Sequence, residues 1–140
     1  MELFDVNIYV YAHRKDSPKH EICRDRLESL MNSGELFAYS SLALSGFLRI
    51  VTHPKIFKTP SDLETAMDFV KMITDHPSGI AAAPGLSHWS IFTHLCFRYK
   101  PKGNLIPDVY FAALAIESDC TWVTSDGDFA RFSDLKMELI

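Results

Sequence analysis

The chain has 140 residues, of which 47% are hydrophobic and 23% charged, and its formal net charge is −4 at pH 7. These values predict one soluble globular domain, residues 1–140, that buries its own core. They argue against a protein that binds nucleic acid nonspecifically over a basic face. They do not argue against an enzyme that binds nucleic acid at one site. The sequence has no basic signal-peptide region and no apolar run of the roughly 20 residues that a membrane span needs, so we expect a cytoplasmic protein.

Short apolar strands and helices alternate along the first part of the chain. Leu3–Phe4 is the first predicted strand, and a helix begins directly after it at Val6. Ser17 is the predicted N-cap of a second helix, with Pro18 at its first position and Gly34 at its end. The segment ELFAYS is the second predicted strand.

The same alternation continues to the end of the chain. Ser40 is expected to cap a third helix, and Ser61 with Glu64 forms a capping box before a fourth. The segment SGIAAAPG reads as a strand, LSHWSIFTHLCFRY as a helix, and PDVYFAALAIESD as a helix with Pro107 at its first position. A strand in CTWVTSDGDF and a possible fifth in LKMELI follow. This pattern predicts an α/β fold with a mainly parallel sheet of four to five strands and helices on both faces.

Three aspartates stand where this fold would bring them together. Asp5 ends the first strand, Asp108 lies in the first turn of a helix, and Asp126 follows the fourth strand. Because ligands bind at the carboxyl edge of an open parallel sheet, we expect the three carboxylates to converge there. Their mutual repulsion requires a proton or a cation, and oxygen ligands favour Mg²⁺ or Mn²⁺. A metal-activated water at such a site suits phosphodiester cleavage.

Each acid also has a simpler interpretation. Asp108 would complement the dipole of its helix, while Asp126 and Asp128 would form a turn. Asp5 has no turn to make, because a helix follows it at once. Phosphatases with an aspartate nucleophile also place an acid after the first strand, but they usually carry a second aspartate two residues later, where this chain has Asn7.

The third predicted helix, in SSLALSGFLRIV, contains Gly46 at its centre. Glycine inside a helix costs about 1 kcal/mol relative to alanine. The helix has no local use for it, so we expect this position to belong to a functional site.

Four segments carry a family resemblance: LFDVNIYVYAHRKDSPKH, SSLALSGFLRIVTHPKIF, IPDVYFAALAIESD and WVTSDGDFARF. In this order they resemble the motif regions of PIN-domain ribonucleases, and most of all the VapC-type toxins of toxin–antitoxin pairs. The resemblance implies a three-layer α/β/α sandwich and an endoribonuclease that depends on Mg²⁺ or Mn²⁺. It also implies a homodimer and a cognate VapB-type antitoxin whose C-terminal segment occupies the active site.

The resemblance also assigns roles to individual residues. It makes Asp5 and Asp108 metal-binding acids and Asp126 a further acid, with Asp128 as a nearby candidate. Asn7 and Thr124 match positions that support the acids through hydrogen bonds.

Gly46 departs from the family pattern, because it stands where the family has a catalytic glutamate. We favour an inactivating change as the explanation. Natural divergence and a glycine that permits close helix packing remain open. The alternative function is a catalytically inactive module that binds an antitoxin or RNA.

Two basic clusters flank the predicted acidic edge. Arg14, Lys15 and Lys19 follow Asp5, and a second cluster precedes the helix of Asp108, namely Arg98, Lys100 and Lys102. We expect these side chains to contact RNA phosphates, although ordinary solvated loops would show the same charges.

Overall fold

The computed structural model describes residues 1–140 and contains five strands and six α-helices. The strands are β1 (Glu2–Phe4), β2 (Phe37–Tyr39), β3 (Gly79–Ala81), β4 (Thr121–Thr124) and β5 (Met137–Leu139). The helices are α1 (Val6–His13), α2 (His20–Ser33), α3 (Ser41–Val51), α4 (Leu63–Thr74), α5 (His88–Tyr99) and α6 (Leu105–Glu117). A short 3₁₀ helix, Gly127–Arg131, follows β4.

All five strands pair in parallel, in the spatial order β3-β2-β1-β4-β5. The chain moves from β1 outward to β2 and β3 through α1–α4, then returns through α5 and α6 to β4 on the other side of β1. Since parallel crossovers are right-handed, the reversal places α5 and α6 on the opposite face from α1–α4. The result is the predicted three-layer α/β/α sandwich, and the strand order reverses between β1 and β4.

The core is one cluster of 31 buried residues that runs through the sheet and the inner faces of the helices. Trp122 of β4 is fully buried, and its ring packs on Phe111 of α6 and Phe129 of the 3₁₀ helix at centroid distances of 5.4 Å. These contacts fix α6 and the turn after β4 against the central strands. Both segments carry candidate site residues.

Several predicted boundaries are confirmed. Helix α1 begins directly after Asp5, and Ser40 caps α3 by accepting a hydrogen bond from the backbone N–H of Ala43. Gly34 ends α2 in the left-handed conformation, with φ of 79°, which glycine adopts without steric cost. The possible fifth strand is present as β5.

Three predicted helix starts are wrong. Helix α2 begins at His20 instead of Pro18, and α6 begins at Leu105, two residues before Pro107. The N-cap of α4 is Asp62, whose Oδ1 accepts from the backbone N–H of Thr65 at 2.8 Å. Ser61, the predicted cap, instead hydrogen-bonds to side chains at the end of α1.

None of the helices has both the length and the apolar character needed to cross a membrane. All three cysteines are free.

Candidate active site

Asp5 lies at the carboxyl end of β1, next to the point where the strand order reverses. Its backbone N–H donates to the carbonyl of Val123 at 2.9 Å, which continues the β1–β4 ladder. The residue is only 7% exposed. Parallel pairing therefore brings the end of β1 beside the end of β4, where open α/β sheets bind ligands.

Two side chains hold the Asp5 carboxylate in place. Thr124 Oγ1 donates to Asp5 Oδ2 at 2.6 Å, and Asn7 Nδ2 donates to the same oxygen at 2.9 Å. No side chain donates to Oδ1. Both side-chain hydrogen bonds thus orient the carboxylate through the same oxygen.

The same network shapes the turn after β4. Thr124 Oγ1 accepts from the backbone N–H of Asp126 at 3.0 Å, and Asn7 Oδ1 accepts from that of Ser125 at 3.2 Å. Asn7 and Thr124, which are 117 positions apart in the sequence, therefore tie the start of α1 to the acidic turn. This ties the position of Asp126 to that of Asp5.

Asp5 is poorly solvated for a charged group. Burial raises the pKa of its carboxyl to about 6, against the partial offset of the hydrogen bond from Thr124. The negative charges of Asp108 and Asp126 raise this pKa further. The folded chain therefore holds a carboxylate that a proton or a cation would stabilise.

Asp108 shares this environment. It is half-buried in the first turn of α6, and burial raises the pKa of its carboxyl. The charges of Asp126 and Asp128 raise the pKa of Asp108 as well, whereas Arg131 lowers it. Asp126 also caps the 3₁₀ helix through a 2.8 Å bond from the Asp128 backbone N–H, so it forms a turn and faces the site at once.

The three predicted acids line one cleft of about 880 Å³ between the two helical layers. Most of its other lining residues are apolar or aromatic, including Tyr11, Phe57 and Phe92. Asp128 does not line the cleft; it is exposed and lies 3.5 Å from Arg131. The cleft is thus a partly apolar groove with acids at the carboxyl edge of the sheet.

Gly46 faces the same cleft from α3 and also packs against α1. A Cβ added to Gly46 would lie 3.2 Å from Val6 Cγ2 and 3.5 Å from Val6 Cγ1. Glycine therefore does permit a close approach of α3 and α1 here. The position serves both the helix contact and the wall of the cleft.

The donor set fits a divalent cation that keeps part of its hydration shell. No group of three or more His, Cys, Asp or Glu side chains is arranged to enclose a metal ion. Mg²⁺ does not require such a cage, because it typically takes one or two carboxylates and completes its shell with waters and substrate phosphates. Asp5 and Asp108, both raised in pKa and facing one cleft, suit that mode of binding.

None of the six basic residues predicted to contact RNA lines the cleft. Lys15, Lys100 and Lys102 are exposed, and Arg98 pairs with Asp134 at 3.2 Å. Their contacts with RNA outside the cleft stay a prediction.

Arg14 has a structural role that sequence spacing did not indicate. Its guanidinium bonds to Asp16 at 2.7 Å, donates to Ser61 at 3.2 Å and lies 4.1 Å from the ring centroid of Phe57. Only 11% of its side chain is exposed. Arg14 therefore anchors the loop that carries Ile56 and Phe57 into the wall of the cleft.

Arg49 of α3 is the basic residue that does line the cleft, and sequence reasoning missed it. It follows Gly46 by three residues, a spacing that places both on one face of a helix. That spacing is the signal that would have found it.

Comparison with known proteins places this fold and site in a family. The PIN-domain family model matches residues 3–135. The chain therefore belongs to the PIN-domain family.

Its similar proteins include several named ribonucleases. It is 37% identical to Ribonuclease VapC43 of Mycobacterium tuberculosis over 94% of this chain and 90% of that protein. It is 35% identical to Ribonuclease VapC25 of the same organism, over 97% and 96%. Among solved structures, VapBC2 from Rickettsia felis, crystallised with a DNA fragment from its promoter, matches with a TM-score of 0.72 at 22% identity. That match covers 99% of this chain and 98% of the other, and it supports the fold.

Proposed function

We propose that this chain is a cytoplasmic, Mg²⁺- or Mn²⁺-dependent endoribonuclease toxin of a toxin–antitoxin pair, with activity impaired at Gly46. The observation that carries the proposal is the buried Asp5 carboxylate, held at Oδ2 by two side chains and facing the same cleft as Asp108 and Asp126. The ribonuclease names of relatives at 35% and 37% identity support RNA as the substrate.

The chain's own residues prepare the site in three ways. Thr124 and Asn7 orient Asp5 and join it to the turn of Asp126. The first turn of α6 brings Asp108 to the same cleft. When bound, Mg²⁺ or Mn²⁺ would supply an activated water and stabilise charge on the phosphoryl oxygens.

The proposed partners are an RNA substrate, a VapB-type antitoxin and a second copy of the chain. The VapBC matches among the solved structures motivate the antitoxin. An antitoxin segment in the apolar part of the cleft would block access to the acids.

A second candidate function is a catalytically inactive module that binds an antitoxin or RNA. The packing of Gly46 on Val6 favours it, since a glycine that serves a helix contact needs no recent loss of glutamate to explain it. The two candidates differ in one respect only, which is whether the acids cleave RNA once the missing carboxylate is present.

The proposal is tested by comparing the Gly46→Glu variant with the double variant that also carries Asp108→Asn. We expect Gly46→Glu to cleave a fluorescently labelled RNA in Mg²⁺, and we expect EDTA or the added Asp108→Asn change to abolish cleavage. Loss of an acid that binds the metal typically removes most of the catalysis that the metal supplies. Cleavage that continues in EDTA, or that survives Asp108→Asn at full rate, would contradict the metal-dependent mechanism. No cleavage by Gly46→Glu, with RNA or antitoxin binding intact, would favour the binding module.

A further inference from the structure

Arg49 stands out among the residues of the cleft because it is the one basic side chain there. It shares this surface with three carboxylates, of Asp5, Asp108 and Asp126. The other lining residues are neutral. Contacts between basic side chains and phosphates fix the register of a nucleic acid on a protein, and Arg49 is placed to make one in this cleft.

Within the chain Arg49 has no bonding partner. It is exposed, and its guanidinium makes neither a salt bridge nor a hydrogen bond with any residue, despite the acids in the same cleft. Arg14 and Arg98, by contrast, are both paired. An arginine in the last turn of a helix also complements the helix dipole, but that role does not require it to face a cleft.

The position of Arg49 on α3 sets its distance from the acids. Leu42, Ser45, Gly46, Arg49 and Ile50 form the face of α3 that lines the cleft. Gly46 is one helical turn closer to the start of α3, and residues at this spacing have Cβ atoms about 5–6 Å apart. Arg49 is therefore one helical turn from the position of the missing carboxylate, toward the end of α3 from which the chain continues to Ile56 and Phe57.

We propose that Arg49 is a substrate-positioning residue that binds a non-scissile phosphate of a single-stranded RNA. This inference rests on the proposed ribonuclease function. The planar guanidinium binds phosphate oxygens in a fork, and the aromatic side chains of Phe57 and Phe92 offer surfaces for an unpaired base. Arg49 thus sets which phosphate reaches the acids.

The test measures RNA affinity as a function of salt. Binding of a fluorescein-labelled eight-nucleotide RNA to the unaltered chain is followed by anisotropy in Mg²⁺ over a range of KCl concentrations. Arg49→Gln is expected to weaken binding roughly tenfold, because a charged hydrogen bond is lost. It is also expected to reduce the slope of log K against log salt by about 0.7, the value for one phosphate contact on a single strand.

Two further variants separate this role from a structural one. Arg49→Lys keeps the charge, so it should restore the salt slope while recovering only part of the affinity. Arg24→Gln is the control, a half-buried arginine of α2 that pairs with Asp25 outside the cleft, and should change neither quantity. Unchanged affinity and slope in Arg49→Gln would overturn the role of Arg49 but not the proposed ribonuclease function. Arg49 would then be available to pair with an acidic group of a protein partner. No RNA binding by the unaltered chain at any salt concentration would overturn the proposed function and this inference together.

Discussion

Asp5→Asn is expected to stabilise the metal-free protein by about 1–3 kcal/mol at pH 7.5 while it removes the ability to cleave RNA. Burial raises the pKa of Asp5 from 3.8 to about 6, so ionising this carboxyl in the folded chain costs free energy that the unfolded chain avoids. An asparagine in its place has no charge to desolvate. Its amide oxygen still accepts the bonds that Thr124 and Asn7 donate to Oδ2.

The pH dependence follows from the direction of the shift. Below pH 3.8 Asp5 is protonated in both states and contributes no difference. Between this pH and about 6 the unfolded chain releases the proton first, so the free energy of unfolding falls as the pH rises. Above pH 6 the destabilisation is complete and constant.

Urea denaturation in EDTA at pH 7.5 and at pH 4.5 measures the effect. The gain in stability of Asp5→Asn over the unaltered chain should be clear at the higher pH and much smaller at the lower. Saturating Mg²⁺ should stabilise the unaltered chain and have much less effect on the variant, because the variant lacks one of the two carboxylates proposed to bind the ion. Equal differences at both pH values would show that burial of a charge at Asp5 is not the cause.

Gly46→Glu is expected to raise Mg²⁺-dependent RNA cleavage by roughly 10²–10⁴-fold over the unaltered chain, the usual contribution of a general base. The side chain would start from α3, on the face that lines the cleft, and extend toward the acids from the layer opposite α6. The gain requires a carboxylate, since a base or a water-orienting group must accept a proton.

Packing limits the cost of this change. The new Cβ lies 3.2 Å from Val6 Cγ2, so the half-buried Val6 must shift by a few tenths of an ångström. Loss of the glycine returns about 1 kcal/mol of helix propensity, and we expect the two effects nearly to cancel. Val6→Ala combined with Gly46→Glu relieves the contact and tests whether the shift restricts activity.

Gly46→Gln is the matched control, because it adds a side chain of the same length without the charge. Initial rates measured with one labelled RNA should rank Gly46→Glu far above both Gly46→Gln and the unaltered chain. Equal activity of the glutamine and glutamate variants would contradict a role for the carboxylate.

The sequence predicts the parallel sheet and the position of the three acids at its edge, for identifiable reasons. Short apolar strands alternate with helices, and this periodicity specifies a parallel sheet whatever the details of packing. Asp5 directly follows β1 and Asp126 comes two residues after the end of β4, so strand order alone brings them to one edge. The capping signals at Ser40 and Gly34 depend only on residues close in the sequence, and both are confirmed.

What the sequence did not reveal depends on contacts between distant segments. Ser61 has the sequence signature of a helix cap, yet its Oγ hydrogen-bonds to the side chains of His13 and Arg14 at 2.9 and 3.2 Å. Asp62 caps the helix instead. Arg14 looks like a free cation until Phe57 and Asp16 are placed around it. Side-chain pairing of this kind has no short-range signal.

The reason for Gly46 also depends on a contact with another helix, which the sequence does not reveal. A glycine within a helical pattern indicates either a lost side chain or a close approach, and only the position of Val6 reveals that a close approach exists. Arg49, one turn away, became a candidate only when the cleft brought α3 opposite α6.

The central claim is that the carboxylates of this cleft bind a divalent cation, and Mn²⁺ binding to the unaltered chain tests it most directly. The free Mn²⁺ signal in electron paramagnetic resonance, measured during titration at pH 7.5, reports binding without requiring catalysis or the residue at position 46. We predict one saturable site per chain, competed by Mg²⁺ and weakened at least tenfold in Asp5→Asn and in Asp108→Asn. Mn²⁺ binding that is absent, or that is unchanged in both variants, would contradict the account.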